Sequence, residues 1–330
     1  MFVTTDAGQA ANDDFDAIHK KFGTTLKENP GYFLGMNITY VGLSKIHLSS
    51  RTYVKNLEKR WAEACTGEKP IIPGDARLVK DYEQALNREI APGEELLKRY
   101  GSKVGSLIYP IPCCRPDAAA TVGYLARALT FPTVAMEAHA DQCLRYLIAT
   151  KDLGILFDGS KGSELKAFSD SDWSTVHSTT GIILVLAGAP VSYASKRQQS
   201  IALSSCEAEI MAASVAATET VYVREILRDL GLPQLQPTTL GVDNKGAIQL
   251  AKECKITHQS RHITRRHLKI REYTHDEIID VKWVPTLHNI SDLCTKPLDK
   301  STFLRHRDAI MPPMHTVAAH ASLHVELVHA

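Results

Sequence analysis

The chain has 330 residues, 44% of them apolar and 23% charged, which allows about two domains with a buried core and excludes fibrous and disordered classes. A formal charge of +1 identifies no partner by itself, so any recognition of a polyanion must rest on how the charges are distributed. No apolar run approaches the roughly 18 residues of a membrane span, the stretch from Met1 to Asp6 lacks the basic and apolar regions of a signal peptide, and seven cysteines without a CxxC pair read as mostly buried thiols in a reducing compartment. The expectation is an intracellular protein without membrane contact.

In chain order, Asn12-Asp13-Asp14 stands before Phe15, Ile18 and Phe22, whose spacing predicts a helix with the acids in its first turn. Tyr32 to Tyr40 alternates as a strand, Gly42-Leu43 turns, and Ile46-His47-Leu48 returns. Tyr53, Leu57 and Trp61 then space as a helix face. From Thr66 to Gly101, Pro70, Pro73-Gly74 and Pro92-Gly93 punctuate a charged stretch with no sustained period, read as loop and linker. Tyr100 to Tyr109, Ala118 to Thr130 and Val134 to Thr150 are helix-compatible, parted by Pro110, Pro112 and Pro116. His139 reads there as a helix-face residue and Cys113-Cys114 as core packing.

The next block changes rhythm. A strand from Leu165 ends at Asp170, and Thr180 to Leu186 with Val191 to Ser195 form a hairpin. A long helix from Ser204 to about Leu230 stops at Gly231 and Pro233. Strand Thr239 to Val242, a helix from Asn244, strand Ile278 to Val284 and a further helix opening at Ser291-Asp292 complete a mixed α/β sheet with helices packed on it. The tail from Pro312, with His315, His320, His324 and His329, reads as a loosely ordered appendage, because the spacing puts no consistent histidine pair on one helix face.

Two strands of this block run out into acid, at Asp170-Ser171-Asp172 and at Asp243. The long helix opens between them with Ser204-Ser205-Cys206-Glu207-Ala208-Glu209. Ser204 and Glu207 fit a capping box, which leaves Glu209 unneeded for the cap, and Asp292 stands at a fourth element end. A lone Asp at a strand end is usually a turn former; carboxylates from four separate segments instead predict a site for Mg²⁺ or Mn²⁺, ions that favour hard oxygen ligands. Such a site suits two-metal hydrolysis of a phosphodiester. Without metal, the clustered acids raise one another's pKa. Arg261, Arg265, Arg266, Lys269 and Arg271 form a basic run, which Lys196 and Arg197 extend, and together they predict a track for backbone phosphates.

These segments resemble the C-terminal part of copia-type retrotransposon Pol polyproteins. Phe168 to Trp173 is similar to that family's YSDADW, Ala202 to Glu209 to its ALSSTEAE, Val242 to Ile248 to its CDNQSAI, and Ser291 to Leu298 to its ADILTKPL. The resemblance implies an RNase H-like mixed five-stranded sheet with flanking helices, Asp170, Glu209, Asp243 and Asp292 as the catalytic, metal-binding acids, and an RNA/DNA hybrid as substrate. Upstream, Tyr32 to Gly35, Val104 to Tyr109 with Arg115-Pro116-Asp117, and Leu144 to Leu147 through Thr150 to Gly154 resemble the end of the reverse transcriptase and its connection. The implied division is a truncated reverse transcriptase segment over 1–65, a linker and helical thumb or connection over 66–160, an RNase H-like domain over 161–300, and a poorly ordered tail over 301–330.

The family's YVDD polymerase motif is expected immediately before Met1, so no polymerase activity is expected from this chain alone. The missing palm or other Pol products are expected partners, in a cytoplasmic virus-like particle or the nucleus. Thr264 and Leu268 stand where the family has Asp and His, and the loop after Trp173 is shorter. The implied function is a metal-dependent ribonuclease H; the alternative is a non-catalytic nucleic-acid-binding remnant.

Overall fold

The structure is a computed structural model that describes residues 9–23, 30–174, 177–252 and 269–313. Its first half sets a helical layer beside a small sheet. Helix α1 (Gln9–Phe22) begins before Asn12, so the acids expected in its first turn lie further inside it. Strands β1 (Tyr32–Phe33), β2 (Met36–Val41) and β3 (Lys45–Ser49) run antiparallel, and β4 (Gly154–Asp158) pairs with β3. β4 went unread in the sequence, and it ties residues on both sides of the expected boundary at 65/66 into one sheet. Gly154 permits the pairing, since a Cβ there would clash with the Leu48 carbonyl oxygen.

Helices α2 (Arg51–Arg60), α3 (Arg77–Leu86), α4 (Glu94–Ile108), α5 (Ile111–Cys114), α6 (Ala119–Arg127) and α7 (Val134–Ala149) form the layer itself. α3 corrects the expectation of a linker between 66 and 101. Its buried Leu78, Tyr82 and Ala85 follow helical spacing, a period short enough for the flanking Pro-Gly pairs to mask. At the centre, buried Arg115 forks onto Asp117 at 2.9 and 2.7 Å, and the Tyr146 hydroxyl donates to the same carboxylate at 2.6 Å. His139 faces Asp81 at 2.8 Å, and Cys114 lies 2.8 Å from the Ser50 hydroxyl, so both residues have the structural roles expected of them.

The second half follows with β5 (Lys166–Asp172), β6 (Thr179–Leu186), β7 (Ala189–Arg197), α8 (Ser205–Asp229), β8 (Thr238–Val242), α9 (Lys245–Lys252), α10 (Ile270–His275), β9 (Ile279–Trp283) and α11 (Lys300–Ile310). The sheet order is β7-β6-β5-β8-β9, antiparallel among the first three and parallel from β5 through β8 to β9. This is a mixed five-stranded sheet with helices packed on it, as the sequence resemblance implies. Because strand side chains alternate, Ile182 and Leu184 of β6 enter one core beneath α8, while Ile183 between them enters the core of the helical layer. The two halves therefore share a continuous interior along one face of the sheet.

After β9 the chain makes a 3-10 turn over Ile290–Cys294 in place of the helix expected at Ser291-Asp292. α11 is ordered where a poorly ordered tail was expected from 301. Asp299 caps it by accepting from the Ser301 and Thr302 N–H groups, and Phe303 and Ile310 enter the helical core, which gives the segment an apolar face to bury. The tail histidines from His315 onward lie outside the described residues. Among the described residues no helix is long and apolar enough to cross a membrane.

Candidate metal centre

The register between β5 and β8 decides which acids meet. Phe168 pairs with Gly241 in parallel, so continuing each strand by the same two residues delivers Asp170 and Asp243 side by side at the end of the sheet. Gly241 keeps the strands close, with a Cβ there falling 3.0 Å from both the Phe168 ring and Val284. α8 lies across β5 and β6 on small buried residues, Ala208, Ala212, Ala213 and Ala216 among them, which bring its first turns down onto the sheet. The expected cap is present one residue wider than a capping box. Glu207 N–H donates to the Ser204 hydroxyl at 3.1 Å, and the Glu207 carboxylate accepts from Leu203 N–H at 2.7 Å. Glu209 is left to face the strand ends, where its Oε1 accepts from Ser171 N–H at 3.2 Å.

Asp170, Glu209 and Asp243 each present a ligand oxygen, all within 4.8 Å of one another. Asp292, the fourth expected acid, falls outside this group of three but lies beside Asp170, whose charge helps to raise its carboxyl pKa. Its position depends on Gly181, the antiparallel partner of Asp170. A Cβ at Gly181 would lie 2.6 Å from the Ser291 carbonyl oxygen, so only glycine lets the Ile290–Cys294 turn press against β6. Buried Asn289 ties the same turn to the sheet by donating to the Ser169 carbonyl at 2.9 Å. Asp172 is half-buried, 3.4 Å from the Tyr124 hydroxyl, and stands beside the cluster rather than in it.

Burial, then the charges of Asp170 and Asp243, push the Glu209 carboxyl far above the usual carboxylate range. Burial, then its neighbour Asp170, do the same to Asp292. Asp243 is raised by burial against the opposing hydrogen bond from the Thr286 hydroxyl at 2.9 Å. Burial disfavours the ammonium of Lys296, yet the carboxylates of Asp170, Asp292, Asp172 and Asp243 outweigh it and raise its pKa. Glu209 Oε2 is buried with no hydrogen-bond partner. An all-oxygen set of like charges with an unmet buried acceptor fits a hard divalent cation, which would offset the repulsion and occupy the free lone pairs.

The chain is 32% identical over 278 residues to the retrovirus-related Pol polyprotein from transposon TNT 1-94 of Nicotiana tabacum, a match covering 82% of this chain and 20% of that one. It is 28% identical over 307 residues to the corresponding polyprotein from transposon RE1 of Arabidopsis thaliana, covering 92% of this chain and 20% of the relative. The chain belongs to the copia-type retrotransposon Pol polyproteins. It spans about a fifth of the length of these two relatives. No family model matches it. Among solved structures, LC11-RNase H1 isolated from compost aligns with 40% of this chain and 93% of its own length at 12% identity and a TM-score of 0.33, too low to add to the fold traced above.

In this Pol chain the expected phosphate track divides. Lys196 and Arg197 end β7, where Ser195 pairs with Gly181 and so shares the acid-bearing end of the sheet. Lys269 is exposed and ion-paired with Glu272 at 3.1 Å. Arg271 is instead engaged structurally, its Nε donating to the Leu250 carbonyl at 2.7 Å to join α10 to α9. Arg261, Arg265 and Arg266, like Thr264 and Leu268, lie outside the described residues. Sequence reasoning missed Thr295, whose buried hydroxyl donates to Asp170 Oδ2 at 2.9 Å, and Lys296 beside it. Both stand in the segment similar to ADILTKPL, so the signal was present, but nothing local shows that the turn folds back onto β5. It also missed Arg127 of the helical layer, which reaches the Thr179 hydroxyl at 3.1 Å with both terminal nitrogens.

Proposed function

We propose that this Pol chain is a ribonuclease H that hydrolyses the RNA strand of an RNA/DNA hybrid with Mg²⁺ or Mn²⁺. The observation that carries the reading is the convergence of Asp170, Glu209 and Asp243 within 4.8 Å, with Asp292 against Asp170, on an RNase H-like sheet. The proposed ligands are Asp170, Glu209, Asp243 and Asp292. A divalent cation held there supplies a Lewis acid for the scissile phosphate and a lowered pKa for the attacking water.

The chain's own groups set the geometry. Thr295 fixes one oxygen of Asp170, Thr286 fixes one of Asp243, and Ser171 N–H fixes one of Glu209. Three carboxylates are thereby held in single orientations before substrate arrives. Lys196, Arg197, Lys269 and the basic residues Arg261, Arg265 and Arg266 are proposed to hold backbone phosphates. The segments before β5 are proposed as the end of a reverse transcriptase and its connection, with the remaining palm or other Pol products as partners in a virus-like particle or the nucleus.

Incubating the chain with a labelled RNA/DNA hybrid, with either ion or with EDTA, tests the reading beside Asp243→Asn. Metal-dependent cutting that the variant loses by about a hundredfold or more is the expected result. A folded chain that binds the hybrid with steep salt dependence and never cuts it is instead a nucleic-acid binder.

A further inference from the structure

α11 brings one more polar side chain to the acid cluster. His306 is only 1% exposed, its Nε2 is buried with no hydrogen-bond partner, and that nitrogen lies 4.0 Å from Asp292 Oδ2. Asp292 is itself only 5% exposed, and the hydrogen bonds described at it run to its main chain, from its N–H to the Asn289 carbonyl and from the Thr295 hydroxyl to its own carbonyl. An unmet buried nitrogen costs about 1–3 kcal/mol, and the neighbours of His306 on its own helix, Phe303 and Ile310, are apolar. Packing alone would be served better by leucine.

The backbone around this pair is held firmly. α11 packs on the Ile290–Cys294 turn, its start is capped by Asp299, and Asn289 pins the turn to β5. In one of its tautomers the imidazole presents an N–H at Nε2. An orphan nitrogen and a buried carboxylate thus face each other about 1 Å beyond hydrogen-bond length.

We propose that His306 is a positioning residue for Asp292: its Nε2–H closes onto Oδ2 when a divalent cation draws the acid cluster together, and so fixes that ligand's orientation. The inference rests on the ribonuclease reading above and adds α11, which lies beyond the motif-bearing segments, to the working site. Groups that orient metal ligands typically contribute 10- to 100-fold in metal affinity.

The test uses the full chain and its His306→Leu, His306→Gln and His306→Asn variants, each checked for native circular dichroism without metal. The readouts are the Mn²⁺-induced rise in melting temperature, titrated to half-saturation, and kcat and KM on the hybrid. His306→Leu is expected to need about tenfold more Mn²⁺ and to lose kcat at unchanged KM. His306→Gln, whose amide nitrogen can reach the position of Nε2, is expected to recover most of both. If the leucine variant does not fold, asparagine against glutamine decides, because the shorter amide keeps polarity without the reach.

Equal Mn²⁺ affinity in wild type and His306→Leu, or equal impairment in all three variants, overturns the positioning role while leaving the ribonuclease reading intact. A wild-type chain whose melting temperature ignores Mn²⁺ overturns both.

Discussion

The molecule treats two of its buried carboxylate sites oppositely. In the helical layer Asp117 meets the Arg115 fork and the Tyr146 hydroxyl, and although burial opposes its charge, those partners hold its pKa below the usual carboxylate value. At the end of the five-stranded sheet Glu209 and Asp292 are buried beside other acids, and burial together with like charge raises them. Desolvation is similar in kind at both places; compensation differs. A charge satisfied within the chain is architecture, whereas charges left in mutual repulsion ask for a cation from outside.

The largest effect is expected from breaking the satisfied pair. Arg115→Met strands Asp117 in the interior and is expected to cost about 3–5 kcal/mol in a denaturant titration. Loss of less than about 1 kcal/mol would mean that Asp117 finds another donor or takes up a proton at little cost.

Gly181→Ala sharpens the comparison from the other side. The added methyl meets the Ser291 carbonyl, so the turn carrying Asp292 must lift, at an expected cost of about 1–3 kcal/mol. Stabilisation by Mn²⁺ should weaken with it. A variant that loses stability yet keeps the full Mn²⁺ response would separate Asp292 from the ion site.

The smallest effect has the opposite sign. Because burial and the charges of Asp170 and Asp243 raise the Glu209 pKa, there is a pH window, opening at the unfolded carboxylate value, in which the folded chain binds a proton that the unfolded chain has released. Without metal its contribution to stability therefore declines as pH climbs through that window. Glu209→Gln removes the penalty and is expected to stabilise the metal-free protein by on the order of 1 kcal/mol at pH 8, with the difference shrinking toward pH 4. Asp117, shifted down, behaves inversely: the stability it contributes is present above the unfolded carboxylate pKa and lost as pH falls through its lower folded value. Parallel pH profiles for Glu209→Gln and wild type would remove the contrast between the two places.

The sequence by itself determined most strands and the long helix of the second half, because those signals are local. Alternating strands end at Asp170 and Asp243, Ser204 caps the long helix, and Gly231 with Pro233 stops it. The helix α3 and strand β4 escaped notice because one is short and bracketed by Pro-Gly pairs, and the other acquires its meaning from β3, far away in sequence. Only the tertiary structure decided that Phe168 pairs with Gly241, that Gly181 admits the turn bearing Asp292, that Arg271 is spent on holding α10, and that His306 faces the site. Register and close approach are relations between segments distant along the chain. Strand ends and caps are written within a few neighbouring residues, whereas the distance between two carboxylates is set by everything packed between and behind them.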